Sequence, residues 1–450
     1  MRNKWWLVPA IILPLLCVCI CGVVVAGPLY SRVSYRIDEI ILRLRYTLNP
    51  PEEVIFVPQQ GAPTPTAPAA PALLVSTQPA GPPPTPTPAS TSATAAADAG
   101  TPVPSPTPAT PGTPTATLPP LPKKISLTGV RYETQSGRYN YCAPANLAMA
   151  LSHWGWEGDK DTVGPALKPD EKDKNVMPYE MVDYVNTQTN LKALERVGGD
   201  LDTLRRFVAN GYPVLVEKGT YLHDLTGVVS WMGHYQVVTG YDDDARQFTT
   251  QDSFIKSDHM VSYDDMLDGW RAFNYTYMLI FPAHKEAQVL SLLGPDADET
   301  TNYQNAATKA SNEIYGLEGI DQYFAWFNRG TNLVKLQDYG GASAAYDEAF
   351  KIYPEIPEAK RPWRMLWYQT GPYFAYYGMQ RYYDLLYLAD GTLNAMPSDK
   401  NLEESYYWRG MARLALGDQP AAIEDFQQAL QYHAGFPPAE YQLRLLGVNP

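Results

Sequence analysis

Tyr139-Asn140-Tyr141-Cys142-Ala143-Pro144-Ala145-Asn146-Leu147-Ala148-Met149-Ala150-Leu151 passes from aromatic and polar residues into an almost wholly apolar run. Proline suits the first turn of a helix, where its missing N–H removes no hydrogen bond. Leu147, Leu151 and Trp154 share one face with Ala150 beside them, and Gly155 supplies a stop. The spacing predicts a helix over 145–154 with Cys142 at its mouth. The other cysteines, Cys17, Cys19 and Cys21, lie in an N-terminal apolar segment, so everything after residue 21 holds one thiol and no internal disulfide. A thiol attacks a carbonyl as thiolate, and a helix N-terminus and a nearby imidazolium both favour that form. Cys142 is therefore a candidate nucleophile. Its spacing fits a small buried residue equally well.

Working outward, 125–132 reads as a strand, and 177–186 and 201–210 as helices, the second with Asp200 or Asp202 at its start. The period then changes. Residues 212–218, 234–241, 247–251 and 275–281 are short runs rich in Val, Thr, Phe and Tyr, divided by Gly and Asp clusters. Helices followed by strands predict an α+β unit with an antiparallel sheet, ending near Pro282. His234 opens one strand after Gly233, which places its ring at a sheet end, and Asp252 closes the next strand. If the two strands form a hairpin through Asp242-Asp243-Asp244, the start of one meets the end of the other. His234 and Asp252 are then neighbours, an imidazole and its orienting carboxylate. A hydrogen-bonded core histidine and a turn aspartate fit the same positions.

The three aspartates read as a solvated hairpin tip, with a calcium site as the alternative. His153, His223, His259, His284 and His433 have no comparable setting, and no His pair has ligand spacing. No metal and no cofactor are expected. The net charge of -13 argues against a nucleic-acid partner, which needs clustered Lys and Arg.

Residues 5–30 are uncharged and long enough to cross a bilayer, with Trp5, Trp6 and Tyr30 near its faces. We read 1–30 as a transmembrane signal anchor with the rest of the chain outside the cytoplasm. A cleaved signal peptide ending near Val24-Val25-Ala26 is the alternative, and Arg32, Arg36, Arg43 and Arg45 favour the opposite orientation. Residues 31–58 form a juxtamembrane segment in which Ile37, Ile40, Ile41 and Leu44 repeat at helical spacing. Much of the chain's 41 Pro falls in 59–122, mixed with Thr, Ala and Ser. That stretch cannot bury enough apolar surface to offset its ordering entropy and reads as a disordered spacer. The 32 Tyr and 10 Trp lie mainly after residue 130 and predict aromatic-rich cores or grooves.

Beyond residue 300 the pattern is helical. Phe327-Asn328-Arg329-Gly330 leads to Asp338-Tyr339, Ala342, Tyr346 and Ala349. Tyr407-Trp408-Arg409-Gly410 leads to Gly417-Asp418, Ala421, Phe426 and Ala429. Each reads as helix, turn, helix, with small residues at the crossing, and resembles the tetratricopeptide repeat. Three pairs are expected over 300–450, the middle one degenerate. An ordinary helical bundle is the alternative.

Tyr141-Cys142-Ala143-Pro144-Ala145 with Leu147-Ala148-Met149, Gly233-His234-Tyr235 with Val237-Val238-Thr239-Gly240-Tyr241-Asp242, and Gln251-Asp252-Ser253 together resemble the C39-like family of papain-fold cysteine peptidases. Trp270-Arg271-Ala272-Phe273-Asn274 before a strand resembles that family's end. The resemblance implies a papain-like peptidase unit over 123–285, with Cys142 as nucleophile, His234 as general base and acid, and Asp252 as its orienting residue. It also implies Gln135 as an oxyanion donor. Gln135 lies seven positions ahead of the cysteine where five or six is usual, and Ala143 stands where the family favours Gly. The expected function is a membrane-tethered, extracytoplasmic cysteine peptidase acting on a peptide or protein, with repeats that bind a protein partner. A catalytically weak peptide-binding adaptor on the same fold is the second reading.

Overall fold

The computed structural model describes residues 40, 41, 44, 47, 48, 52–59, 120–224, 227–396 and 400–450. The expected membrane segment, 1–30, and nearly all of the Pro-rich spacer lie outside them. Among the described residues no helix is long and apolar enough to cross a membrane. Ile40, Ile41 and Leu44 are helical, as their spacing predicted, and their side chains are exposed.

The first unit contains β1 (Lys124–Ser126), α1 (Cys142–Ser152), α2 (Lys160–Leu167), α3 (Pro178–Gln188), β2 (Leu191–Arg196), α4 (Leu201–Ala209), β3 (Val214–His223), β4 (Val229–Asp242), β5 (Gln247–Asp252), β6 (Lys256–Ser262), α5 (Tyr263–Arg271), β7 (Tyr277–Pro282) and α6 (Glu286–Leu293). The strands form one antiparallel sheet in the order β2-β7-β3-β4-β5-β6, with β1 paired to the far end of β4. Strand alternation explains how it is covered. Leu215, Tyr235, Val237, Met278 and Ile280 pack with α1, α2 and α3. Their neighbours Val214, Val216, Val238, Tyr277, Leu279 and Phe281 pack with α4, α5 and α6. Residues 143–152 of α1 are all buried, so this helix lies inside the unit rather than on it.

Two strands and three helices, α2, α5 and α6, were not among the expected elements, and the strand expected over 125–132 is confined to Lys124–Ser126. Leu191–Arg196 carries Lys192, Glu195 and Arg196 and lacks the β-branched signature, yet it pairs along its whole length with β7. Lys256–Ser262 is polar because it is the edge strand beyond β5. Helices α2 and α5 are short and begin at caps, Asp159 and Ser262, that periodicity does not detect.

The second unit is helical: α7 (Glu299–Ile314), α8 (Gly319–Lys335), α9 (Tyr339–Ile352), α10 (Met365–Tyr368), α11 (Gly371–Gly378), α12 (Tyr382–Asn394), α13 (Glu403–Ala415), α14 (Gln419–Tyr432) and α15 (Pro437–Leu445). In α8/α9 a side chain on Gly330 would begin 2.7 Å from the Tyr346 ring; in α13/α14 Gly410 stands at 2.7 Å from Phe426 in the same way. Asp338 and Asp418 cap the second helix of each pair through Gly341 and Ala421 N–H. The middle pair, α11/α12, has a shortened first helix.

The two units share one hydrophobic cluster. Trp231 stacks on Phe273 at 5.7 Å and on Phe324 at 6.1 Å. Buried Asn274 and Asn332 exchange amide hydrogen bonds at 2.7 and 3.1 Å. The described part of the juxtamembrane segment also docks on the helical unit. Phe56 lies edge-on to Phe350 at 5.0 Å, Glu53 accepts from Tyr353 and Arg361, and Gln59 N donates to Asp384 at 2.8 Å.

Candidate active site

Cys142 is the first residue of α1, reached through a tight turn in which Asn140 takes a positive φ of 48°. The helix starts three residues earlier than periodicity indicated, because the first turn is held by Ala145 N–H on Tyr141 O at 3.1 Å. The thiol is half-buried. Burial alone would push it up, but the hydrogen bond and charge of His234, the Tyr235 N–H and the Lys168 charge hold it below the ordinary thiol value.

His234 is not at a sheet end. Strand β4 begins at Val229, because its first residues pair with the far half of β3, and His234 stands opposite Lys218 inside the ladder. Its side chain is only 3% exposed. Nε2 meets Asp252 Oδ1 at 2.9 Å, which leaves Nδ1 as the nitrogen for the thiol. Burial favours the neutral ring. The Asp252 carboxylate and the hydrogen bond to Cys142 outweigh it and raise the imidazole to about 9.

Asp252 closes β5, as expected, and is fully buried. Besides His234 it accepts from Gln236 Nε2 at 2.5 Å and from Phe254 and Ile255 N–H at 2.8 and 3.0 Å. Burial opposes ionisation, but the His234 charge and these donors hold the carboxyl far below its usual range. A bulge puts it there. Thr239 is an extra residue between Val238, which pairs with Thr250, and Gly240, which pairs with Thr249. With it, Val237 pairs with Gln251 and Asp252 comes opposite Gln236, on the parity of His234. Without it, Asp252 would oppose Val237, whose side chain is in the α1 core.

Gln135 reaches the same cleft. Its backbone N–H donates to Ser253 O at 2.9 Å and its Oε1 accepts from Ser253 Oγ at 2.8 Å, leaving its amide hydrogens for the cleft. Buried Asn146 donates to Ser253 Oγ at 2.9 Å and to Cys142 O at 2.8 Å. Asn146, Ser253 and Gln236 were not singled out in the sequence. A signal did exist for Gln236, two residues from His234 on one strand, and for Asn146, one helical turn from Cys142.

The cleft has a volume of about 530 Å³. Gln135, Cys142, His234 and Phe254 line it, and the helical unit contributes Arg364, Trp367 and Tyr368. Arg364 is fixed by its bond to Trp231 O at 3.0 Å and its contact with Ser230 Oγ. The hairpin aspartates lie elsewhere and do not converge on a cation: Asp242 pairs with Lys124 at 2.8 Å, Asp243 with Arg205 at 2.5 Å and Asp244 with Lys123 at 3.0 Å.

This arrangement, a half-buried thiol at a helix start beside a buried imidazole–carboxylate pair, defines a class of thiol-bearing α+β units. Residues 127–278 match the model of the Peptidase C39-like family, and residues 325–356 and 403–432 match the tetratricopeptide repeat. The chain thus carries a C39-like segment followed by tetratricopeptide repeats, the order read from its sequence. The crystal structure of a candidate C39-like peptidase from Bacillus anthracis aligns with 35% of this chain and 98% of that one, at 18% identity and a TM-score of 0.29. No curated protein matches the chain.

Proposed function

We propose that the chain is a papain-like cysteine peptidase. The Cys142 thiolate attacks the substrate carbonyl carbon, and the tetrahedral oxyanion is met by the Gln135 amide and by backbone N–H groups at the start of α1. The His234 imidazolium gives its proton to the leaving amine as the C–N bond breaks. The neutral imidazole then takes a proton from water, which attacks the thioester. The thiolate leaves, His234 keeps the proton, and the acid product departs. Asp252 holds the ring and compensates its charge throughout.

The observation that carries this reading is the His234 ring, held between the Asp252 carboxylate and the Cys142 thiol in an open cleft. The test is iodoacetamide labelling of the full chain against pH, read at Cys142 by mass spectrometry. Rapid labelling well below the free-thiol pKa of about 8.5 is expected, lost in His234→Ala. Ordinary reactivity in the wild type sinks the reading. Reactivity without turnover of any peptide would favour the adaptor reading, in which the wall formed by Arg364, Trp367 and Tyr368 makes the cleft a binding groove.

We propose further that the repeats bind a protein partner or substrate, as the repeat family supports. The uncharged run 5–30 supports a single membrane anchor that leaves the catalytic unit outside the cytoplasm.

A further inference from the structure

Away from the cleft, three stretches of chain bring acidic groups together. Glu180 is on α3 of the first unit, Glu403 opens α13, and His433 directly follows α14. One ligand atom from each of Glu180, Glu403 and His433 lies within 4.8 Å of the others. Glu403 is 3% exposed. Its Oε1 meets His433 Nδ1 at 2.8 Å, but its Oε2 is buried with no partner.

That orphan oxygen sets Glu403 apart from Asp252 and Asp425, whose carboxylate oxygens both have partners. Asp252 is surrounded by donors, and Asp425 takes both oxygens to Arg409 and Arg413. A carboxylate oxygen removed from water without a partner carries its full desolvation cost, so it marks a place where something else binds. Further carboxyl groups crowd the spot. Asp173, Glu180 and Glu404 all lie near Glu403, and burial favours their neutral forms until a cation offsets it. Glu180 Oε2 accepts from Met177 N–H, so its other oxygen remains for a ligand.

We propose that Glu180, Glu403 and His433 form a site for a first-row divalent cation of the Zn²⁺ type, clamping the first unit to the last repeat pair. Imidazole nitrogen with carboxylate oxygens suits such a cation, whereas Ca²⁺ and Mg²⁺ prefer all-oxygen sets. On binding, the Nδ1–Glu403 hydrogen bond opens and the proton is released, so affinity falls with acidification. The three ligands are hundreds of positions apart in part, which is why ligand spacing in the sequence pointed to no metal.

The test is calorimetric titration of EDTA-stripped full chain with ZnCl₂, alongside thermal melting. One saturable site per chain is expected, with a raised melting temperature. Glu403→Gln, which keeps the shape, and His433→Gln are each expected to weaken binding at least about 100-fold and to abolish the thermal shift. Thiols are the competing ligands. A full chain with all four cysteines replaced by serine must therefore bind zinc as the wild type does, and loss of binding there overturns the proposal. So does the absence of saturable binding to the wild type, or unchanged affinity in a folded Glu403→Gln chain. If that variant does not fold, Glu180→Gln decides in the same way.

Discussion

Among the described residues stand two imidazole–carboxylate pairs of nearly equal length, the buried His234–Asp252 at 2.9 Å and the partly buried His433–Glu403 at 2.8 Å. In both, the carboxylate raises the imidazole above its ordinary value against the opposing effect of burial. They differ in what surrounds them. Asp252 has donors on both oxygens and passes its influence through the ring to a thiol on an open cleft. Glu403 has an oxygen unanswered and sits among other carboxyls, Asp173, Glu180 and Glu404. A His–carboxylate pair is thus a common structural unit, and its chemistry is set by the third group and by how completely the carboxylate is satisfied.

Four experiments sharpen or break that contrast. The largest effect is expected at the thiol: Cys142→Ala should lower peptide hydrolysis about 10⁴-fold or more in a normally folded chain, measured as kcat/KM on a cleavable peptide. Retained turnover would remove the distinction between the pairs. Second, hydrolysis should rise with pH through the depressed Cys142 pKa and fall again above about 9, where His234 loses its proton. In His234→Ala the thiol returns to its ordinary range, so Cys142 labelling at pH 6.5 should drop about 100-fold. Third, the Gln236 amide donates to Asp252 while its Oε1 is buried without a partner. Gln236→Leu should therefore lower kcat about 10-fold with KM little changed, because the orienting carboxylate loses a charge-assisted bond. Fourth, His433→Ala should leave Cys142 labelling within about 2-fold of wild type. It should still reduce the stability of the metal-free chain to urea by about 3 kcal/mol, since it strands a buried charge. A large effect on labelling would mean that the two pairs are coupled.

Much of the site was legible. Cys142 before Pro144 announced a thiol at a helix start, and His234 and Asp252 lay in strands separated by a run of turn residues. The hairpin supplied their adjacency only in outline. Whether Asp252 faced the histidine or the α1 core depended on Thr239, and a one-residue bulge leaves no mark in the alternation of Val237-Val238-Thr239-Gly240. His234 looked like a strand opening because Gly233 precedes it. The strand continues through that glycine, where a side chain would meet Phe273 and Tyr368 at 2.7 and 3.0 Å.

What the sequence by itself determined is local: the helix that carries Cys142, the switch from helical to strand period, the turns between the repeat helices, and the paired glycine and aromatic positions of the repeats. Periodicity, capping and close-approach glycines act within a few turns, so neighbouring residues suffice to read them. The tertiary structure alone decided the rest. It closed the cleft with Arg364, Trp367 and Tyr368, seated Phe56 on the repeats, and gathered Glu180, Glu403 and His433. Those contacts join segments far apart in the chain through sheet register and burial of apolar faces, and neither is encoded in the spacing of any one segment.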